Sequence, residues 1–404
     1  MNLANRAASA ETAVTQRHLR RLWALPGTQL AVVAWPSTRR DRLFGSWHYW
    51  WQAHLLDCLV DAQLRDPQPQ RRARINRQVR SHRVRNNFSW LNSYYDDMAW
   101  LALALERADR VAGVRRRRAL PKLTNQFVEA WVPEDGGGIP WRKQDQFFNA
   151  PANGPAGLFL ARYPDQYGKR LKRAEQMADW IDRTLIDPET HLVFDGIKAG
   201  SLVRAQYTYC QGVVLGLETE LAVRTGPAAR ARHCARVHRL VAAVNEHMAP
   251  LGVLRGAGGG DGGLFAGITA RYLALVATTL PGDSADDATA RDTARAIVLA
   301  SAQSAWDYRQ TVDGLPVFGA FWDREAELPT AGGEQARSVR GAVHSSAIAE
   351  RDLSVQLSGW MLMEAAHSAA AVSSLGYHQR VGVALGCVTP RPVDPRRRDQ
   401  CGQQ

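Results

Sequence analysis

Hydrophobic residues recur every three or four positions through most of the chain, a spacing that predicts helices and not strands. Residues 47–64 show it clearly, with Trp50, Trp51, Leu55 and Leu59 at helical intervals. Alternating strand-like runs are scarce, and turns rich in glycine and proline separate the apolar segments. The predicted helices cover residues 7–24, 47–64, 89–111, 125–131, 152–162, 169–185, 207–224, 229–247, 263–280, 288–308 and 345–373.

This succession of helices, with no change of composition along it, predicts an all-α toroid. Helix hairpins would alternate between an inner and an outer ring, and one end of the inner ring would form the concave site. The apolar pattern fades after about residue 375. We therefore expect one catalytic domain over residues 1–375 and a partly disordered tail, rich in proline and arginine, over 376–404.

The chain of 404 residues is 45% hydrophobic and carries a formal charge of +12, with 51 basic against 39 acidic residues. Arginines cluster in residues 71–85, 115–118 and 396–398. Basic runs are typical of nucleic-acid or anionic-lipid contact. The first run has no interleaved aromatic residues for base stacking. We therefore favour a solvated surface, expect no nucleic acid, and keep weak contact with an anionic membrane as a second interpretation.

The cysteines indicate neither a disulfide framework nor a zinc site, because they are scattered and odd in number. They are Cys58, Cys210, Cys234, Cys387 and Cys401. Residues 1–29 contain no apolar run of signal-peptide length, and no stretch of about 18 apolar residues occurs anywhere. We therefore expect a cytoplasmic protein.

Two adjacent carboxylates, Asp96 and Asp97, stand between aromatic residues and a long apolar run. Ionised carboxylates are costly to bury unless they are paired, hydrogen-bonded or used in chemistry. Glycoside hydrolysis uses such a pair. The alternative is a solvated Asp-Asp at a helix N-terminus, where negative charge meets the positive end of the helix dipole.

A second cluster combines glycines at 136–138 with Trp141, Asn149 and Asn153. Tryptophan covers the apolar face of a sugar, and amides offer its hydroxyls both a donor and an acceptor. The same residues can also serve only as a packed indole and a turn. Both interpretations stay open.

Further aspartates precede predicted helices. Asp195 stands in a loop ahead of Tyr209, where it either orients a substrate or closes an Asp-Gly turn. For Asp261 we favour a helix N-cap. The histidines give no functional signal, since His344 and His367 lie in or beside apolar helical stretches.

Taken together and in this order, the segments resemble glycoside hydrolase family 76, the bacterial and fungal α-1,6-mannanases. Two positions depart from the family's pattern: Cys210 stands where asparagine is usual, and Ala266 where lysine is frequent. The similarity spans roughly residues 45–365, and its pieces lie at residues 50–53, 95–100, 137–141, 149–155, 195–197 and 209–212, with a weaker match at 265–272.

The resemblance implies an (α/α)6 barrel and retaining hydrolysis of α-1,6-mannosidic bonds, with no metal or organic cofactor. By the family's pattern Asp96 is the nucleophile and Asp97 the general acid/base. Adjacent residues of a regular helix point about 100° apart. The pair must therefore lie at a helix start or a distorted turn to converge on one sugar.

We also expect substrate contacts by seven residues. They are Tyr95, Trp141, Asn149, Asn153, Asp195, Tyr209 and Gln211. We expect a monomer acting on an intracellular α-mannan oligosaccharide or a mannosylated glycolipid. Two alternatives remain: a transglycosylase acting on the same linkage, and a non-catalytic glycan-binding barrel.

Overall fold

The computed structural model describes residues 2–133, 136–163, 165–339 and 341–371, and most of them are helical. Thirteen α-helices fall in these ranges. They are α1 (Leu3–His18), α2 (Arg39–Arg42), α3 (Tyr49–Arg65), α4 (Pro69–Arg85), α5 (Tyr95–Ala112), α6 (Ala119–Glu129), α7 (Ala150–Arg162), α8 (Lys169–Thr184), α9 (Thr208–Arg224), α10 (Pro227–Ala243), α11 (Phe265–Thr279), α12 (Ala285–Asp307) and α13 (Leu353–Ala371).

Six helices form a closed inner ring: α3, α5, α7, α9, α11 and α13 pack side by side in chain order, and α13 returns to α3. The helices between them, α4, α6, α8, α10 and α12, each pack outside the inner helix that precedes them, and α1 packs outside α13. This arrangement is an (α/α)6 barrel, so the predicted all-α toroid is confirmed.

Burial follows from each helix's place in the barrel. Almost every residue of α9 from Thr208 to Ala222 is buried, as expected for a helix surrounded by others. The outer helix α8 instead buries one stripe that includes Ala174, Met177 and Ile181. Inner helices also approach closely: a β-carbon at Gly267 in α11 would lie 2.6 Å from the Ser358 Cα in α13.

Short antiparallel strands occupy the loops between the helices. The chain enters α7, α9 and α13 directly after such strands or their connections, so residues at their ends are carried to the N-terminal end of the inner ring. The pairs are β1 (Leu19–Arg20) with β2 (Leu30–Ala31), β3 (Phe147–Asn149) with β4 (Gly196–Lys198), β4 with β5 (Ser201–Val203), β6 (Gln310–Val312) with β7 (Leu315–Val317), and β8 (Arg337–Val339) with β9 (Ala342–His344).

An ion-pair cluster links three inner helices towards their C-terminal ends. Asp57 and Asp61 on α3 each pair with both Arg107 on α5 and Arg271 on α11. Burial alone would raise the pKa of Asp57, but the two guanidinium groups lower it to about 2. Asp57 is therefore held ionised inside the barrel.

The first arginine run forms the outer helix α4, which was missed in the sequence analysis. Arg71 donates to Glu11 at 2.7 Å and to Asp66 at 2.7 Å, and Arg74 lies 3.3 Å from Glu11. Part of the run therefore fastens α4 to α1, and contact with an anionic membrane stays a prediction. The third run and the expected tail, 376–404, lie outside the described residues.

Several helix boundaries differ from the sequence-based expectation. The helix predicted for 7–24 ends at His18, and those predicted for 89–111 and 345–373 begin only at Tyr95 and Leu353. The helix predicted for 125–131 begins earlier, at Ala119. None of the helices in the described ranges is both long and apolar enough to cross a bilayer.

Candidate active site

A cavity of about 440 Å³ lies where the inner helices begin. The starts of α3, α5, α7, α9 and α11 contribute to its wall, and the segment ahead of α13 completes it. The residues that line it include His48, Tyr49, Trp50, Tyr94, Asp96, Asp97, Trp141, Asn149, Asp195, Tyr207, Tyr209, Asp261, Phe265, Ser338, Gly341, Ala342 and Val343. Four of them are aspartates, and no lysine or arginine among the described residues lines this cavity.

Asp96 and Asp97 occupy the first turn of α5, with Tyr94 as the extended residue before it. Asp96 Oδ1 accepts the backbone N–H of Asp97 at 2.9 Å, and Asp96 Oδ2 accepts the indole N–H of Trp141 at 2.8 Å. Asp97 Oδ2 accepts the Asn92 amide at 2.6 Å. The pair therefore lies at the helix start that convergence requires, and each carboxylate has its own donor.

The two carboxyl groups differ in how strongly they hold a proton. Burial raises the pKa of Asp96 to about 7, against the lowering effect of the donors Trp141 and Asp97 N–H. Burial raises the pKa of Asp97 well above its ordinary range, and the adjacent charge of Asp96 raises it further. The negative charge of Asp261 adds to both shifts. Asp96 therefore ionises first while Asp97 keeps its proton.

Trp141 is placed by a loop folded over the start of α5. Its carbonyl oxygen accepts the Tyr95 N–H at 2.8 Å, and its own N–H reaches the Phe147 carbonyl at 2.7 Å. The loop turns at Gly138, where φ is +99° and a β-carbon would lie 3.0 Å from the Trp180 ring. This glycine therefore allows the close turn that brings the indole to Asp96.

Asp195 and Asn149 approach from the β3–β4 pair. Asn149 caps α7 by accepting the Ala152 N–H at 3.1 Å, and it pairs in register with Gly196. The Asp195 carbonyl accepts the Ala150 N–H at 2.8 Å. Burial raises the pKa of Asp195 to about 6, so this carboxyl also sits in surroundings of low polarity.

An aromatic wall stands at the starts of α9 and α11. Tyr209 stacks on Phe265 with ring centroids 4.2 Å apart, and Tyr207 lies 5.5 Å from the same ring. Cys210 beside them is buried, and burial raises the pKa of its thiol well above the ordinary value. Tyr209 thus faces the cavity, whereas Cys210 is a packed, protonated residue.

Three of the predicted contact residues are not brought to the cavity. Tyr95 packs against the core. The Asn153 side chain is fully buried and bonds the Ile139 N–H and carbonyl, each at 2.8 Å. Gln211 likewise bonds the Val193 N–H at 2.7 Å and the Val193 carbonyl at 2.9 Å. Asn153 and Gln211 hold loops in place, and their polar atoms are used within the protein.

Asp261 belongs to the site, although the sequence favoured a helix cap for it. It lies in a 3₁₀ turn, Gly260–Leu264, and its Oδ1 accepts the indole N–H groups of Trp50 at 3.0 Å and Trp51 at 2.9 Å. Its Oδ2 accepts the Val343 N–H at 2.7 Å. The adjacent tryptophans were a signal for this site, but their partner lies about 210 residues away in the chain. In the described residues, no group of three or more His, Cys, Asp or Glu side chains is arranged to hold a metal ion.

Comparisons with known proteins agree with this architecture. The family model for glycosyl hydrolase family 76 matches residues 6–358. The chain is 27% identical to the GH76A α-1,6-mannanase of Salegentibacter sp. HEL1_6, covering 91% of this chain and 99% of that one with a TM-score of 0.74. A second structure shows an inactive variant of that mannanase, with two adjacent aspartates changed to asparagine, in complex with α-1,6-mannotriose. This chain is 26% identical to it, and the match covers 90% of this chain and 99% of that one with a TM-score of 0.74.

The Lin0763 protein from Listeria innocua shares the fold, with a TM-score of 0.74 and 24% identity over 91% of this chain and 97% of that one. No curated protein matches the chain.

Proposed function

The chain belongs to glycoside hydrolase family 76, and from this premise we propose that it cleaves α-1,6-mannosidic linkages with retention of configuration. Membership of the family makes the protein a glycoside hydrolase. The observation that carries the proposal is the Asp96–Asp97 pair, whose two carboxyl groups hold their protons with different strength at the start of one helix.

In the first step Asp96 is the nucleophile. Its ionised carboxylate forms a bond to the anomeric carbon as the glycosidic C–O bond breaks, and Asp97 gives its proton to the leaving oxygen. The N–H groups from Trp141 and Asp97 hold the Asp96 carboxylate in place while it is negatively charged. The product of this step is a glycosyl-enzyme with Asp97 ionised.

In the second step Asp97 is the base. It takes a proton from water, the water oxygen bonds to the anomeric carbon, and Asp96 leaves as a carboxylate. Asp97 is thereby reprotonated, and both groups return to their starting states. The neighbouring charge of Asp96, which raises the pKa of Asp97, is absent while Asp96 carries the sugar, and this favours the ionised base in that step.

We propose that Trp141, Asn149, Asp195 and Tyr209 contact the sugar. All four line the cavity, and they offer aromatic faces together with polar groups, the combination that binds pyranose rings. The relatives' complexes with α-1,6-mannooligosaccharides support a mannan oligosaccharide as the substrate class. The intracellular location and the glycolipid stay predictions.

Turnover of α-1,6-mannotetraose, followed by chromatography of the products, tests the proposal. We expect cleavage by the wild type, loss of cleavage in Asp96→Asn, and unchanged cleavage in Asp109→Asn. Asp109 is the matched control because it lies near the opposite end of the same helix. Cleavage of another hexose polymer but of no α-mannoside would contradict the proposed linkage. Release of longer products at high acceptor concentration would identify the transglycosylase alternative.

A further inference from the structure

Strands β8 and β9 with Gly341 form a hairpin that we call the roof hairpin (residues 337–339 and 341–344). Ser338, Gly341, Ala342 and Val343 line the catalytic cavity, although they come from the loop ahead of α13. The hairpin contacts two different walls of the cavity. It therefore bridges the cavity and does not merely border it.

One contact is with the wall at the start of α5. Gly341 has a φ of +95°, and a β-carbon there would lie 2.6 Å from Tyr94 Oη and 3.1 Å from the Trp141 ring. Only a residue without a side chain fits so close to these two rings in this conformation. The backbone of the roof hairpin therefore leaves no passage between itself and Tyr94.

The other contact is with the wall ahead of α11. The Val343 N–H is donated to Asp261 Oδ2 at 2.7 Å, while Trp50 and Trp51 hold the other oxygen of that carboxylate. A β-carbon at Gly260 would lie 2.2 Å from the Val343 carbonyl oxygen, so strand β9 rests directly on the 3₁₀ turn.

The base of the hairpin is fastened to the same turn. The buried Asp352 accepts the Gly260 N–H at 2.7 Å and the Ser346 N–H at 3.1 Å. The wall ahead of α11 and the base of the hairpin are therefore joined by hydrogen bonds, whereas the wall at α5 is held by close packing.

The cavity continues outwards at the starts of α9 and α11. A second cavity of about 550 Å³ shares Tyr207 and Phe265 with the first, and Gln206, Glu246 and Arg255 also line it. Aromatic rings at the junction and polar groups beyond it suit a carbohydrate chain that runs out of the barrel. The two sides of the catalytic cavity therefore differ: one is bridged by backbone, and the other opens into a polar cleft.

We infer that the roof hairpin closes the catalytic cavity between the start of α5 and the turn ahead of α11, so that the enzyme cleaves mannan from a chain end and the remaining chain leaves past Tyr207 and Phe265. This inference rests on the proposed function. A chain cut at internal linkages needs an exit on both sides of the cleaved bond, and the roof hairpin occupies one of them.

The experiment uses α-1,6-mannohexaose carrying 2-aminobenzamide at the reducing end, digested by the full chain to low conversion. End-directed cleavage predicts initial products from one linkage position, counted from one end, with other positions at least tenfold slower. Comparable initial rates at several internal linkages overturn the inference and leave the proposed function standing. A wild type that cleaves no α-mannoside overturns the proposed function and, with it, the inference.

The variant Val343→Pro tests the roof hairpin itself. It removes the N–H that is donated to Asp261, and that N–H makes no bond across the hairpin. We expect the ratio of internal to terminal cleavage to rise at least tenfold, whereas a purely structural role would lower all rates together. Val339→Ala is the matched control, because this exposed residue of β8 does not line the cavity, and its ratio is expected to stay at the wild-type value.

Asp261→Asn provides a second variant in case Val343→Pro does not fold. An amide cannot accept from both tryptophans and from Val343, since only one of its two polar atoms is an acceptor. The same rise in the cleavage ratio is expected. An unchanged ratio in either variant, with a wild-type melting temperature, overturns the inference.

Discussion

Asp96 and Asp97 are neighbours in the chain but have different surroundings, and this difference separates their roles. Asp96 accepts hydrogen bonds from two N–H groups. Asp97 accepts one from the Asn92 amide, and the negative charge of Asp96 raises its pKa. Pairs of titratable groups whose environments push their pKa values apart are typical of acid–base catalysis. The residue that ionises first is the nucleophile, and the residue that keeps its proton is the acid.

The two roles can be separated with substrates that differ in the leaving group. Asp97→Asn is expected to lower kcat/KM on α-1,6-mannotetraose by about 10²–10⁴-fold, the usual contribution of a general acid. It should lower the first step much less on an activated aryl α-1,6-mannobioside, whose leaving group needs no proton. Asp96→Asn should abolish activity on both. Equal losses for Asp97→Asn on the two substrates would contradict its assignment as the acid.

The pH profile gives a second residue-level prediction. Activity should rise as Asp96 ionises, with the acidic limb of kcat/KM near its pKa of about 7. Trp141→Phe removes a donor that stabilises the charged form. The pKa should therefore rise, and the limb should move upwards by about one pH unit.

The matched control for this profile is Trp131→Phe, which alters a tryptophan outside the cavity lining and should leave the limb in place. If the acidic limb of kcat/KM stays at the same pH or moves to lower pH in Trp141→Phe, this indole does not lower the pKa of Asp96.

At the level of single residues, the sequence required a helix start for the pair so that both carboxylates converge on one sugar, but its apolar pattern began the helix at 89 instead of at Tyr95. It did not separate cavity residues from loop supports. Asn153 and Gln211 have side-chain amides that could bind a sugar, yet both amides form hydrogen bonds with backbone groups of the protein instead. Asp261 was missed because an aspartate ahead of a predicted helix is an ordinary N-cap signal.

At the scale of elements, close contact between inner helices depends on small residues. Gly267→Ala would place a β-carbon 2.6 Å from the Ser358 Cα, so α11 and α13 would have to move apart. We expect a loss of about 1–3 kcal/mol in the free energy of unfolding, the usual cost of overpacking. Urea denaturation measures it.

Gly226→Ala is the control for that measurement, since a β-carbon at this N-cap position of α10 meets nothing within 4 Å. Similar free energies of unfolding for the two variants would contradict the close-packing explanation.

The inner helices could be predicted from the chain, because apolar residues at helical spacing are the strongest local signal. Helix α4 was missed because it is rich in arginine, and its buried apolar residues Ile75 and Val79 are too few to give a clear helical pattern. Strands of two or three residues are too short for an alternating pattern. The roof hairpin therefore has no signature in the sequence, although it shapes the cavity.

For the whole molecule, the ion-pair cluster ties together helices that are distant in the chain. Asp57→Asn would leave Arg107 and Arg271 with fewer compensating charges in a buried place. We expect a loss of about 3–5 kcal/mol in the free energy of unfolding, as for other broken buried pairs. The pair of Asp109 with the exposed Arg115 is the control, and Asp109→Asn should cost less than about 0.5 kcal/mol.

The same cluster predicts the direction of acid sensitivity. The pKa of Asp57 in the folded state, about 2, lies below the value of about 3.9 for an unfolded aspartate. Its contribution to stability is therefore present above about pH 4 and is lost as the pH falls through about 2. A stability difference between wild type and Asp57→Asn that does not narrow over this range would contradict the assignment.

The barrel as a whole could be predicted from the succession of helices, and the family from six short motifs in one order. The meeting of Asp96, Asp195 and Asp261 in one cavity could not, since ring closure brings together residues up to 165 positions apart. Local patterns carry no information on which side of that cavity is bridged.

A double displacement by Asp96 and Asp97 retains the anomeric configuration, so the anomer that is released first tests it most directly. Proton NMR of α-1,6-mannotetraose during the first minutes of digestion distinguishes the two anomers before mutarotation mixes them. We expect the new reducing end to appear as the α-anomer. Initial release of the β-anomer would contradict it, because a single displacement by water inverts the configuration.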